Sequence, residues 1–211
     1  MNTEDIESRL LAWYRLANSR QRAAGLTWYA DARAFCREVS ADTGLPLATV
    51  AGVVAALSPS TYWELNKRQA EALCRTFAAG GDIDSVPIST YGRQAAKARK
   101  IVSEKLLSST DICKALGRRA FKTWAFYDNL TRKESRAATI DQHIIRALDL
   151  EDRWTQGAKG IYDEVAGCIR QVADDTGLAP YQLQAIVWLT YKETGERYSP
   201  EEKRDRAVAP F

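Results

Sequence analysis

Histidine and methionine are nearly missing from this 211-residue sequence, with one of each, and its four cysteines stand far apart. With His143 the sole histidine, a three-histidine metal site is excluded. Cys36, Cys74, Cys113 and Cys168 each fall singly inside a segment of helical periodicity. Neither a zinc site nor an iron–sulfur cluster is therefore expected, and isolated thiols suit a reducing cytoplasm. A carboxylate-bound magnesium stays open. No eighteen apolar residues run together and charges interrupt the first twenty, so neither a membrane span nor a signal peptide is expected. Also missing are a phosphate loop, a dinucleotide fingerprint and a convincing serine or cysteine triad. The expectation is a cytoplasmic chain with no cofactor and no resident metal.

What is present is ordinary globular usage, 45% hydrophobic and 27% charged, enough to bury a real core. The net charge is only +3, but it is unevenly spread. Between Tyr91 and Arg136 twelve Lys or Arg face four acids, so that segment carries +8 and the remainder −5. Such a block is the expected footprint of a polyanion partner, although helix surfaces are often lysine-rich without one.

Helical periodicity runs almost throughout, predicting an all-α fold of about ten helices. Expected helices cover about residues 4–23 and 27–44. Pro46 then opens LATVAGVVAAL, apolar all round and so a central buried helix. Further helices are expected over about 61–79, 92–104, a short stretch after Ser109, and 118–130. Tyr29–Leu45 and Tyr162–Leu178 echo one another, sharing Asp-Thr-Gly-Leu, which reads as two similar helix ends closed by glycine or as a duplication. The apolar helix after each is expected to pack on the other. The expected organisation is one domain with two lobes, the terminal helices forming one and about 58–135 the other, with a flexible tail over 200–211.

The richest stretch for chemistry is Thr139-Ile140-Asp141-Gln142-His143-Ile144-Ile145-Arg146. Thr139 and Gln142 have the spacing of a capping box, which would start a helix at Thr139 and place Asp141 in its first turn. A carboxylate there lies at the positive end of the helix dipole, where acids are favoured with or without a catalytic duty. A fixed negative charge suits a developing positive sugar, and it could orient or deprotonate a water.

The order of motifs resembles the helix-hairpin-helix superfamily of DNA glycosylases. Ala56-Leu57-Ser58-Pro59-Ser60-Thr61 followed by Asn66-Lys67-Arg68-Gln69-Ala70 is similar to the family's LSxQxT and NKxxAxL pair. Tyr91-Gly92 through Lys97-Ala98 resembles the helix that follows. Leu116-Gly117 through Lys122-Thr123, then Ile140 to Arg146, resembles the hairpin and the helix carrying the catalytic aspartate. The likeness covers about residues 51–148. It implies a two-lobed glycosylase-like architecture, with Asp141 as catalytic aspartate and Lys122 as the lysine that attacks C1′ in bifunctional members. Arg118 and Arg119 would lower the cost of a neutral Lys122 amine, but Lys122 also shares a polar face suited to phosphate. The hairpin keeps one glycine where the family usually has two, so phosphate capture would lean on arginine forks.

Arg93, Lys97 and Lys100 recur at helical spacing and, with Arg118, Arg119, His143 and Arg146, form the expected DNA-contacting set. Ser58, Ser60, Tyr62, Trp63 and Asn66 fall where the family's substrate loop lies and form the expected base pocket. Trp13, Trp124 and Trp188 fit apolar stripes and read as core. The expected function is hydrolysis of the N-glycosidic bond of a nucleotide extruded from double-stranded DNA, by a monomer. Two other readings stay open. One is transfer of an amine onto an activated pyrimidine, as in relatives from viral DNA hypermodification; the other is a DNA-binding module without catalysis.

Overall fold

The structure, a computed structural model, describes residues 2–154 and 159–194. The tail expected at 200–211 lies outside the described residues. Among the described residues there are ten α-helices, two single 3-10 turns and no strand, so the fold is all-α. The helices are α1 (Thr3–Leu16), α2 (Ser19–Thr43), α3 (Leu47–Leu57), α4 (Trp63–Ala78), α5 (Gly92–Ser103), α6 (Ser109–Leu116), α7 (Phe121–Thr131), α8 (Gln142–Ala147), α9 (Lys159–Thr176) and α10 (Pro180–Thr194). The chain divides into two compact units. One joins the residues up to Tyr29 to those from Glu134 onward; the other is Ala30–Lys133.

In the first unit α1 packs on α9 and α10, and α8 and α9 also pack on α10. Ile6, Leu10 and Trp13, at helical spacing, are the buried stripe of α1. The expected first helix, 4–23, is in fact two. α1 ends at Leu16, and Asn18 begins α2 through a reciprocal cap in which each of Asn18 and Gln21 accepts the other's backbone N–H at 2.9 Å. α2 then runs through Thr27 without a break. Gly25 serves close approach here, because a Cβ at that position would lie 2.4 Å from Ile186 Cγ1 and 2.8 Å from its backbone. Glycine there lets α2 and α10 touch backbone to side chain, a packing role that looked like punctuation in the sequence.

The second unit is built around α3, where every residue from Thr49 to Leu57 is buried. Helices α4, α5, α6 and α7 surround it. Gly52 admits Ile112 and Ile101 to its surface. The polar groups that burial strands are answered individually: Thr49 Oγ1 donates to the Leu106 carbonyl at 2.8 Å and Arg33 to the Asn129 carbonyl at 2.9 Å. The two apolar helices α3 and α10, expected to pair, each form the core of a separate unit. The sequence echo has a local cause, since α2 and α9 both finish one residue before a left-handed glycine, Gly44 (φ 68°) and Gly177 (φ 69°).

Cys36 on α2 and Cys74 on α4 are buried in this unit as free thiols. Burial, with the neighbouring Cys74 adding to it, pushes Cys36 from the ordinary 9.0 up to about 12; burial and the nearby Glu71 push Cys74 to about 12 as well. Both thiols hold their protons more tightly folded than unfolded, so their contribution to stability is complete below pH 9 and is lost as pH rises toward 12. The melting temperature is expected to fall across that window. Its slope should be shallower in Cys36→Ala/Cys74→Ala, read from thermal melts in steps of half a pH unit.

Candidate functional site

Asp141 is itself the N-cap of α8, in extended conformation (φ −112°, ψ −177°). Its Oδ1 accepts the backbone N–H of His143 and of Ile144, each at 3.0 Å. Its Oδ2 accepts the indole N–H of Trp188 from α10, also at 3.0 Å. The helix therefore starts at Gln142, and the capping box expected from Thr139 does not form. The reason is burial: Ala138, Thr139 and Ile140 are a non-helical, buried approach to the cap. The Thr139 hydroxyl lies 2.8 Å from the Tyr29 hydroxyl, which in turn bonds Gln184 Oε1 at 2.9 Å. Tyr162 reaches the same strip from α9, donating to the Ala138 carbonyl at 2.8 Å and accepting from the Ile140 N–H. Burial holds the Tyr162 phenol above the ordinary tyrosine range, so it remains a donor well into alkali.

Around the carboxylate stand half-buried aromatic rings. The Trp188 ring meets Trp28 edge-on at 6.2 Å and His143 at 6.3 Å, and His143 also faces Tyr191 at 6.3 Å. The Lys192 ammonium sits 4.7 Å above the Trp188 ring. At the far end of α8, Trp13 donates its indole N–H to the Ala147 carbonyl at 2.7 Å. His143, expected to touch phosphate, belongs to this ring cluster, whereas Arg146 is exposed in the last turn of α8. Trp188, expected in the core, is half-buried and bonded to Asp141, and no spacing signal ties position 188 to position 141.

In the second unit, α6, a turn and α7 form a helix-turn-helix. Gly117 closes α6 at φ 107°, ψ 150°, a conformation open essentially to glycine alone. The turn continues through exposed Arg118 and Arg119 to Ala120, an N-cap with no side-chain hydrogen bond. Lys122 is half-buried in the first turn of α7. Arg118, Arg119 and Lys122 make no ion pair among the described residues. The expected phosphate stripe on α5 is only partly available. Lys97 turns inward and donates to the Leu116 carbonyl at 2.5 Å, where burial, with Arg93 nearby, lowers its pKa. Lys100 approaches Glu104 at 3.9 Å, and exposed Arg93 lies over the Tyr91 ring at 5.7 Å.

The expected base pocket separates into an inner and an outer part. Asn66 is 2% exposed, and its Nδ2 donates to the Val54 carbonyl at 3.1 Å, which completes the end of α3. Trp63 packs edge-on against Phe35 and Phe126 at 6.0 and 6.3 Å. Ser58 hydroxyl returns to the Ala55 carbonyl. Tyr62 is 63% exposed, and Ser60, at φ 56°, bonds the exposed Tyr91 hydroxyl at 3.0 Å. A groove of about 280 Å³ beside α4 is lined by Phe35, Val39, Lys67, Arg68 and three glutamates, Glu38, Glu64 and Glu71. No cluster of three metal-ligating side chains occurs among the described residues, and none of the helices described is long and apolar enough to cross a membrane.

Residues 1–195 match the model of a family of unknown function, DUF7178, and the chain belongs to that family. No curated protein and no solved structure matches the chain.

Two substitutions probe this framework. Gly117→Ala forces a side chain into glycine-only backbone space and should cost about 1–3 kcal/mol, measured by urea unfolding. Tyr162→Phe removes the two Tyr162 bonds to the strip before Asp141, leaving the Tyr29 bond in place, and should cost about 1–3 kcal/mol through the stranded Ala138 carbonyl. Exchange of the Ile140 amide should quicken most.

Proposed function

We propose that this protein is a DNA base-processing enzyme that hydrolyses the N-glycosidic bond of a nucleotide extruded from duplex DNA, with Asp141 as the essential carboxylate. The observation that carries the reading is the immobilised Asp141 side chain, held by three N–H donors at 3.0 Å. Departure of a base leaves positive charge on the sugar, and a negative group already in place stabilises it without reorganising. Oδ1 spends its lone pairs on two amides, while Oδ2 accepts one N–H and keeps a lone pair with which to orient a water. In balance, the C1′–N bond breaks, the water oxygen bonds to C1′, and one water proton passes to the departing base.

Exposed Arg93, Arg118 and Arg119, with Lys122 on the adjoining turn, supply cations suited to duplex phosphates. The turn built on Gly117 is a further support, since it sets α6 and α7 as a helix pair at the position where the motif order suggests a hairpin. Lys122 and Asp141 belong to different compact units. The mechanism proposed uses Asp141 alone, and Lys122 serves phosphate.

Incubation with duplexes carrying uracil, hydroxymethyluracil, alkylated or oxidised bases, followed by alkali, should yield strand cleavage on at least one. Asp141→Asn keeps a good N-cap residue and should lose about 10²–10⁴ of that rate. Absence of cleavage on the whole panel would refute hydrolysis, and a heavier, amine-bearing product would point to group transfer instead. Borohydride should trap no adduct through Lys122. Arg118→Ala/Arg119→Ala should weaken duplex binding and reduce the slope of log affinity against log salt by about 2. A non-catalytic module would show that loss while Asp141→Asn retained full function.

A further inference from the structure

We infer that Trp188 is a positioning residue for Asp141, its indole N–H fixing which carboxylate oxygen, and which lone pair, is left for substrate. The inference has a catalytic half that rests on the reading above and a structural half that does not. Two backbone amides anchor Oδ1, yet the terminal torsion is nearly two-fold, so a flip that exchanges the two oxygens would present the same face to those amides. A third bond, from Trp188 Nε1 to Oδ2 at 3.0 Å, removes that freedom. The indole has one proton and no acceptor, so it can only donate.

The ring is held in turn. Trp28 and His143 meet it edge-on, and Lys192, four residues along α10 and so on the same face, places its ammonium 4.7 Å above it. A cation on the π face draws density from the ring and strengthens the N–H as a donor. Packing does not require tryptophan here. The core of α10 is Leu183, Ala185, Ile186, Val187 and Tyr191, whereas Trp188 is half-buried. Trp13 is the contrast: it is fully buried, and its N–H answers a backbone carbonyl.

The test uses Trp188→Phe and, to keep shape while removing the donor, benzothienylalanine placed at 188. In ¹H–¹⁵N spectra of the wild type, the indole signal that Trp188→Phe removes should shift strongly in Asp141→Asn. In both donor-less variants, amide exchange at His143 and Ile144 should quicken several-fold, with the melting temperature of the benzothienyl variant near wild type. An unmoved indole signal or unchanged exchange overturns the inference, whether or not a substrate is known. On a duplex that the wild type cleaves, both variants should lose tenfold or more in kcat with KM within about twofold; unchanged kcat would overturn the catalytic half. A wild type inactive on every duplex refutes the proposed hydrolysis and, with it, the catalytic half, while the spectra still decide whether Trp188 fixes the carboxylate.

Discussion

A helix of six residues cannot hold itself together, because nucleation costs more than so few hydrogen bonds return. α8 exists because it is clamped at both ends: Asp141 takes up the first free amides while Trp188 steadies that carboxylate, and Trp13 takes the Ala147 carbonyl at the other end. An N-cap of this type is worth about 0.5–2 kcal/mol, and hydrogen bonds to a charged group about 1.5–3 kcal/mol. The non-helical strip that leads in is tied by Tyr29 and Tyr162. Helices α1, α2, α9 and α10 thus all converge on two turns of backbone. The carboxylate accepts three N–H donors while remaining half-buried instead of sealed.

The second unit solves a different problem. An all-apolar helix such as α3 has no solvent face, so it needs neighbours on every side, and four helices supply them. Their outer faces then carry the basic residues, but the charge available to a partner is smaller than the segment total suggests. Arg99 is spent on the Ile83 and Val86 carbonyls and on Asp84, Lys97 on the Leu116 carbonyl, Lys114 on Asp111 and Arg132 on Asp128. Within that segment Arg93, Lys105, Arg118, Arg119 and Lys122 stand clear of ion pairs among the described residues, and three of these five lie at or just after the Gly117 turn.

The legible parts of the sequence were those where a single local cause dominates. α3 could be read because apolar residues all round have one meaning, and the ends of α2 and α9 because Asp-Thr-Gly-Leu closes a helix by local backbone geometry. The misread parts were those where one residue type serves two purposes. Gly25 falls in the gap expected between two helices and instead lies inside α2, against Ile186. Thr139 looked like a cap and is buried against Tyr29, leaving the cap to the aspartate two residues on. Asn66 looked available to a ligand, yet it is buried with its amide nitrogen bonded to Val54, and Trp63 packs among neighbouring rings. Asp141 was recognisable as a residue of interest, but its tie to Trp188 spans 47 residues and arises only from how α8 meets α10.

That tie also narrows what the carboxylate can do. On the proposed reading, a nucleophilic Asp141 would have to carry Oδ2, the oxygen with a lone pair left, into bonding distance of the sugar carbon, a movement that pulls on the indole at Oδ2 and on the two amides at Oδ1. Releasing Oδ1 would uncap α8, and releasing Oδ2 would free the torsion that the surrounding rings restrain. Remaining still while charge develops nearby disturbs none of these bonds. Electrostatic stabilisation with water orientation through the remaining Oδ2 lone pair is accordingly the role that asks least of the structure, and covalent attack the one that asks most.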